Sequence, residues 1–85
     1  MPQIDIYTKF GCGYCMRAKR LLDSKGATYT EHDITMGGPD REAMLERAPG
    51  ARTVPQIFIG DRHVGGSDDL AALDRSGELE MLLNA

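Results

Sequence analysis

The chain has 85 residues, 41% of them hydrophobic and 27% charged, which fits a single soluble globular domain over residues 1–85 and excludes a disordered chain. Its 10 Lys and Arg against 13 Asp and Glu leave a formal charge of −3, so the basic surface of a polyanion binder is missing and no nucleic-acid partner is expected. The longest apolar run, Leu70-Ala71-Ala72-Leu73, falls far short of the ~20 residues of a membrane span, and Met1-Pro2-Gln3-Ile4-Asp5 lacks the basic and apolar regions of a secretory signal. The chain therefore reads as a cytoplasmic protein with its native start and no membrane partner.

Gln3 to Thr8 alternates, with Ile4 and Ile6 on one side, and is predicted as the first strand. Lys9-Phe10-Gly11 turns into an amphipathic helix from Gly13 to Lys25, whose apolar positions Tyr14/Cys15, Ala18 and Leu21/Leu22 recur at helical spacing and which Gly26 closes. Thr28 to Ile34 is β-branched yet polar, the signature of an edge strand. After Gly37-Gly38, Pro39 suits the first turn of a second helix, with Asp40 and Glu42 near its positive end and Pro49-Gly50 ending it near Ala48. Gln56 to Ile59 is a strand, Gly60-Asp61 a two-residue type II′ turn, and Arg62 to Val64 the returning strand. Ser67 is the expected N-cap of a third helix, with Asp68 and Asp69 in its first turn and Leu70 and Leu73 inward. Gly77 interrupts it before a short terminal helix marked by Leu79, Leu82 and Leu83. Phe58 and Ile59 are expected in the core, Met44 and Met81 as helix-face fillers, and His32 and His63 on the surface. A βαβ unit followed by αββα predicts an α/β fold, a four-stranded mixed β-sheet flanked by helices on both faces.

Cys12 and Cys15 are the only cysteines. A disulfide framework would carry several, spread along the chain, and the loop closed by this pair is too small to stabilise the fold much. His32 and His63 are too far apart in sequence to complete a zinc finger. Redox chemistry remains, for which C-x-x-C in a reducing compartment is the usual signature. Cys12 falls at the edge of the first helix, where unpaired N–H groups and the helix dipole favour the thiolate. Lys9, Arg17 and Arg20 add positive potential, screened by solvent. A thiolate attacks a disulfide and also leaves a mixed disulfide readily. Cys15, three positions on, shares the same helix face and sits deeper; it reads as a resolving thiol, or else as a small buried hydrophobe.

Two further segments suit a peptide-like ligand. Pro55 has no N–H and leaves the backbone of Val54 free to pair with an extended peptide, although proline also simply begins strands. Ser67 and Asp68 form a helix N-terminus that suits a carboxylate, although Ser67 could equally be a plain cap beside solvated acids.

Cys12-Gly13-Tyr14-Cys15 after the first strand, Thr53-Val54-Pro55 before the third and Gly65-Gly66-Ser67-Asp68-Asp69 after the fourth resemble the glutaredoxin family over essentially the whole length, most closely its short, bacterial-type dithiol members. The resemblance implies a thioredoxin-like fold and an enzyme catalysing glutathione-dependent thiol–disulfide exchange on glutathionylated or disulfide-containing proteins, with Cys12 as nucleophile and Cys15 as resolving thiol. It implies a cis junction at Thr53-Val54-Pro55, with Val54 holding the cysteinyl backbone of glutathione. Gly66, Ser67 and Asp68 would hold its γ-glutamyl end, Lys9 its other carboxylate, and Tyr14 would line the groove; Arg41 and Arg52 are further anion contacts. A monomer is expected. Gly13 departs from the family, whose commonest motif has proline there. That glycine keeps open an alternative in which Cys12 and glutathione ligate a [2Fe–2S] cluster between two subunits. A thioredoxin, drawing electrons from its own reductase, is disfavoured by the absence of tryptophan before Cys12 and by the Gly65-Gly66-Ser67-Asp68 segment.

Overall fold

The computed structural model describes residues 1–85. The alternating start of the chain forms β1 (Ile4–Thr8), and the amphipathic stretch after it forms α1 (Gly13–Ser24). The edge strand β2 (Thr30–Asp33) and the proline-initiated α2 (Pro39–Arg47) follow. The hairpin β3 (Gln56–Ile59) and β4 (Arg62–Gly65) leads into α3 (Ser67–Ser76) and α4 (Glu78–Leu83). The four strands make one mixed sheet in the order β2-β1-β3-β4, with β2 parallel to β1 and the remaining pairs antiparallel. This is the α/β, thioredoxin-like arrangement expected.

Alternation along the two inner strands divides the core. Ile4, Ile6, Ile57 and Ile59 turn one way and pack with Ala18, Leu22, Leu70, Leu79 and Leu83 under α1, α3 and α4. Tyr7 and Phe58 turn the other way and meet Ile34, Met44 and Ala48 beside α2. Across this second face runs an aromatic row with one ring from each strand. His32 stacks on Tyr7 at 4.6 Å, Tyr7 meets Phe58 edge-on at 5.8 Å, and Phe58 stacks on His63 at 4.7 Å.

Several boundaries and placements differ from expectation. β2 covers only Thr30–Asp33, because its pairing with β1 starts at Thr30 opposite Asp5 and stops at Asp33 opposite Thr8, the last residue of β1. Ser67 is not the N-cap of α3. Gly66 is, and its N–H donates to the Asp69 carboxylate at 2.9 Å while Ser67 turns inward as the first helical residue. Met81 is 73% exposed, since Leu79 and Leu83 present the inward stripe of α4 and Met81 lies off it. His32 is half-buried, held by its stack on Tyr7 and by Asp5 at 2.9 Å. The hairpin turn matches type II′, with Gly60 at φ +59 and no positive φ at Asp61.

Candidate functional site

β1 delivers Lys9-Phe10-Gly11 to the tip of α1, where Cys12 is the N-cap with extended backbone (φ −91, ψ 110). Its sulfur takes the part a serine oxygen plays at other helix starts, accepting the N–H of Cys15 at 3.2 Å. Both cysteines are free thiols; Cys12 is half-buried and Cys15 is 2% exposed. Burial, reinforced by the neighbouring Cys12, pushes the Cys15 thiol up to about 12. Cys12 Sγ also lies 3.8 Å from the carbonyl oxygen of Val54, to which the protonated thiol donates. This contact joins the helix tip to the segment Thr53-Val54-Pro55.

The Val54–Pro55 peptide bond is cis. Pro55 is buried and Val54 half-buried, and the Gln56 side-chain amide donates to the Thr53 carbonyl at 2.9 Å. From this turn a groove of about 450 Å³ runs to the start of α3, with Tyr14 on one wall, Thr53 to Gln56 and His63 along it, and Gly65 to Asp69 at its far end. Gly65 has φ +113, and a Cβ there would run into the Asp69 carboxylate, so only glycine lets that side chain cap Gly66. Ser67 Oγ, at this end of the groove, is the one buried side-chain oxygen or nitrogen of the protein without a hydrogen-bond partner. The Asp68 side chain is 90% exposed and stands 3.9 Å from an Arg17 guanidinium nitrogen, and the same guanidinium lies 5.9 Å from the Tyr14 ring centre.

Lys9, Arg41 and Arg52 do not line the main groove. They meet at a second, smaller depression of about 40 Å³ on the other side of Thr53 and Val54, which border both. The predicted residues thus form two arms around one turn, an α3 N-terminus on one side and a basic corner on the other. Gln56, His63 and Asp69 also line the main groove, although the sequence marked none of them as a site residue. Asp69 was findable, as the acid at the third position of a helix that follows two glycines. Gln56 and His63 read as ordinary strand residues until the fold brings them together. No three His, Cys, Asp or Glu side chains stand together as a metal site, and no helix is long and apolar enough to cross a membrane.

The glutaredoxin family profile matches residues 4–64. The chain is 52% identical over 85 residues to a glutaredoxin of Pseudomonas aeruginosa, covering all of both chains. It is 52% identical over 83 residues to glutaredoxin 3 of Escherichia coli K12, covering 98% of this chain and 99% of that one. Among solved structures, the buckwheat glutaredoxin–glutathione complex superposes with a TM-score of 0.85 at 35% identity, over 98% of this chain and 77% of that one.

Proposed function

The chain belongs to the glutaredoxin family, whose members are thiol–disulfide oxidoreductases, and from that premise we propose that it is a glutathione-dependent reductase of protein–glutathione mixed disulfides and protein disulfides. The observation that carries this reading is the unpartnered, buried Ser67 Oγ at the α3 end of a groove whose other end reaches Cys12 through Val54. A buried hydroxyl left unpaired costs about 1–3 kcal/mol, which a ligand polar group recovers once the Ser67 side chain turns toward the groove. The γ-glutamyl carboxylate of glutathione fits there, on Ser67 and the N–H groups of Ser67 and Asp68, with Gly66 giving close approach. The Asp68 carboxylate faces its ammonium. The backbone of Val54 pairs with the cysteinyl residue beside Thr53 and Pro55, the glycyl carboxylate lies toward Lys9, Arg41 and Arg52, and Tyr14 covers the middle. The buckwheat relative was solved with glutathione.

In the proposed reaction the Cys12 thiolate attacks the glutathione sulfur of a mixed disulfide. The Cys12–glutathione bond forms, the protein–glutathione bond breaks, and the protein thiolate leaves and takes up a proton. A second glutathione thiolate then attacks that glutathionyl sulfur, releasing oxidised glutathione and restoring Cys12. With a protein disulfide, Cys12 forms a mixed disulfide with the substrate, and Cys15 loses its proton and attacks Cys12 Sγ. The Cys12–Cys15 disulfide closes as the substrate leaves, and two glutathiones supply the electrons that reopen it. The chain acts as one domain over residues 1–85, as a monomer, in a reducing compartment such as the cytoplasm.

Turnover of a glutathionylated peptide with glutathione, glutathione reductase and NADPH tests the reading. Activity in the wild type that is lost in Cys12→Ser supports it, and no turnover overturns it. A second reading uses the same accessible sulfur: one Cys12 from each of two chains, with two glutathiones, would supply the thiolates of a bridging [2Fe–2S] cluster. A brown, dimeric protein after anaerobic purification would favour that reading.

A further inference from the structure

We propose that His63 is a positioning residue for the ligand-binding turn, setting the Thr53 carbonyl, and with it the Val54 backbone, through the side chain of Gln56. The inference rests on the reading above, in which that backbone pairs with the substrate. The Thr53 carbonyl can only accept, so the Gln56 group facing it at 2.9 Å must be the amide NH₂. The Gln56 carbonyl oxygen therefore faces His63 Nε2, 2.7 Å away, and that nitrogen must carry the proton. The chain runs one way: His63 N–H to Gln56 Oε1, then Gln56 N–H to Thr53 O. Reversing either link would place like atoms against each other.

Gln56 is held by burial, and His63, although exposed on β4, is held by its ring. Gln56 is 7% exposed, so its oxygen has no ready access to water if the His63 donor is lost. The His63 ring lies nearly parallel to Phe58, with an interplanar angle of 18°. Phe58 is 2% exposed, and on it the Arg47 guanidinium also sits, 4.0 Å from the ring centre. His63 therefore cannot swing away without giving up its stack. Since His63 lines the same groove as Thr53 and Ser67, the structure beneath the ligand and the ligand surface share one hydrogen-bonded unit.

His63→Phe keeps a ring on Phe58 and removes the donor; His63→Gln restores a donor of similar reach. For a glutathionylated peptide, KM is expected to rise about fivefold in His63→Phe with kcat within twofold of wild type, and to return to within twofold in His63→Gln. An unchanged KM in His63→Phe, an equal rise in both variants, or a fall in kcat alone would overturn the role. Should His63→Phe not fold, the ¹⁵N spectrum of the wild-type imidazole decides: a proton on Nε2 supports the chain and a neutral ring with its proton on Nδ1 refutes it. Glutathione titrated into wild-type protein separates this inference from the reading beneath it. Unperturbed Val54 and Ser67 amides would remove the groove and this inference together. Shifted amides with an unaffected His63→Phe would remove only the role of His63.

Discussion

The backbone N–H of Cys15 donates to Cys12 Sγ across 3.2 Å, so the residue that carries the second thiol also fixes the position of the first sulfur at the helix tip. The two sulfurs are thereby made unlike. Cys12 is reachable and holds a hydrogen-bond donor, whereas burial keeps the Cys15 proton in place at neutral pH. In the proposed reaction, attack by Cys15 would become competitive only when a disulfide on Cys12 is already beside it, at high effective concentration.

Removing each sulfur should separate the two activities. Cys15→Ser is expected to retain reduction of glutathionylated peptide and to lose most reduction of an intramolecular protein disulfide. Cys12→Ser is expected to lose both. Coupled assays on the two substrates check this, and loss of both activities in Cys15→Ser would refute the division of labour.

Ser67→Ala should move stability and binding in opposite directions. Deleting an unpartnered buried hydroxyl removes a penalty of about 1 kcal/mol, which for a domain of this size raises Tm by roughly 4–8 °C. In the proposed complex the same deletion takes a hydrogen bond from glutathione, and KM for glutathionylated substrate should rise severalfold. Calorimetry and steady-state kinetics on one preparation read both signs.

The two arms around Thr53 and Val54 should act on the same constant. Lys9→Ala combined with Asp68→Ala removes one charge from each depression and should raise KM for glutathionylated substrate. Both side chains are exposed, so the melting temperature should barely move. An unchanged KM would take both anchors out of the proposed site.

Gly65→Ala should damage the groove from beneath. The new Cβ collides with the Asp69 carboxylate and would also have to tolerate φ +113. Backbone strain and loss of the Gly66 cap together predict about 2–3 kcal/mol of destabilisation, measured by urea unfolding, together with a raised KM.

Asp5 gives an acid-limb prediction. Burial alone would raise its carboxyl, but hydrogen bonds from His32 and Arg47 outweigh that and hold it below its ordinary value. A carboxylate lowered in the folded state adds stability that is complete above its unfolded pKa of about 3.9 and disappears as pH falls through the folded value. Asp5→Asn should cost on the order of 2 kcal/mol at pH 7 and should flatten the stability profile below pH 5. Denaturant titrations of both proteins at pH 7, 5, 4 and 3 measure the slope, and parallel profiles would contradict the assignment.

Strand and helix periodicity made the element order and the sheet legible, because Ile4/Ile6 and Ala18/Leu22 keep faithful period-two and helical spacing. The cysteine pair was legible for the same reason, since both fall within one helical turn. What the sequence hid depends on register and side-chain competition. Ser67 resembles a cap, yet the Asp69 carboxylate reaches Gly66 and displaces it from that role. The Gln56–His63 contact lies between two strands and comes from pairing and a register shift near Ile57 and Phe58 that no local pattern encodes. Lys9 and Asp68 both carry charge suited to the proposed ligand, but only the folded turn shows that they stand on opposite sides of it.

The sheet is clothed unequally, and this has a kinetic consequence. Within α2 only Met44 is fully buried, and its N-cap Gly38 offers no side chain to the first turn. That helix should therefore open and reclose long before the rest of the molecule unfolds, with its amides exchanging for deuterium well ahead of those of α1. Arg41 rides on that segment, so the basic corner it helps to form would be assembled and dismantled on the timescale of this breathing.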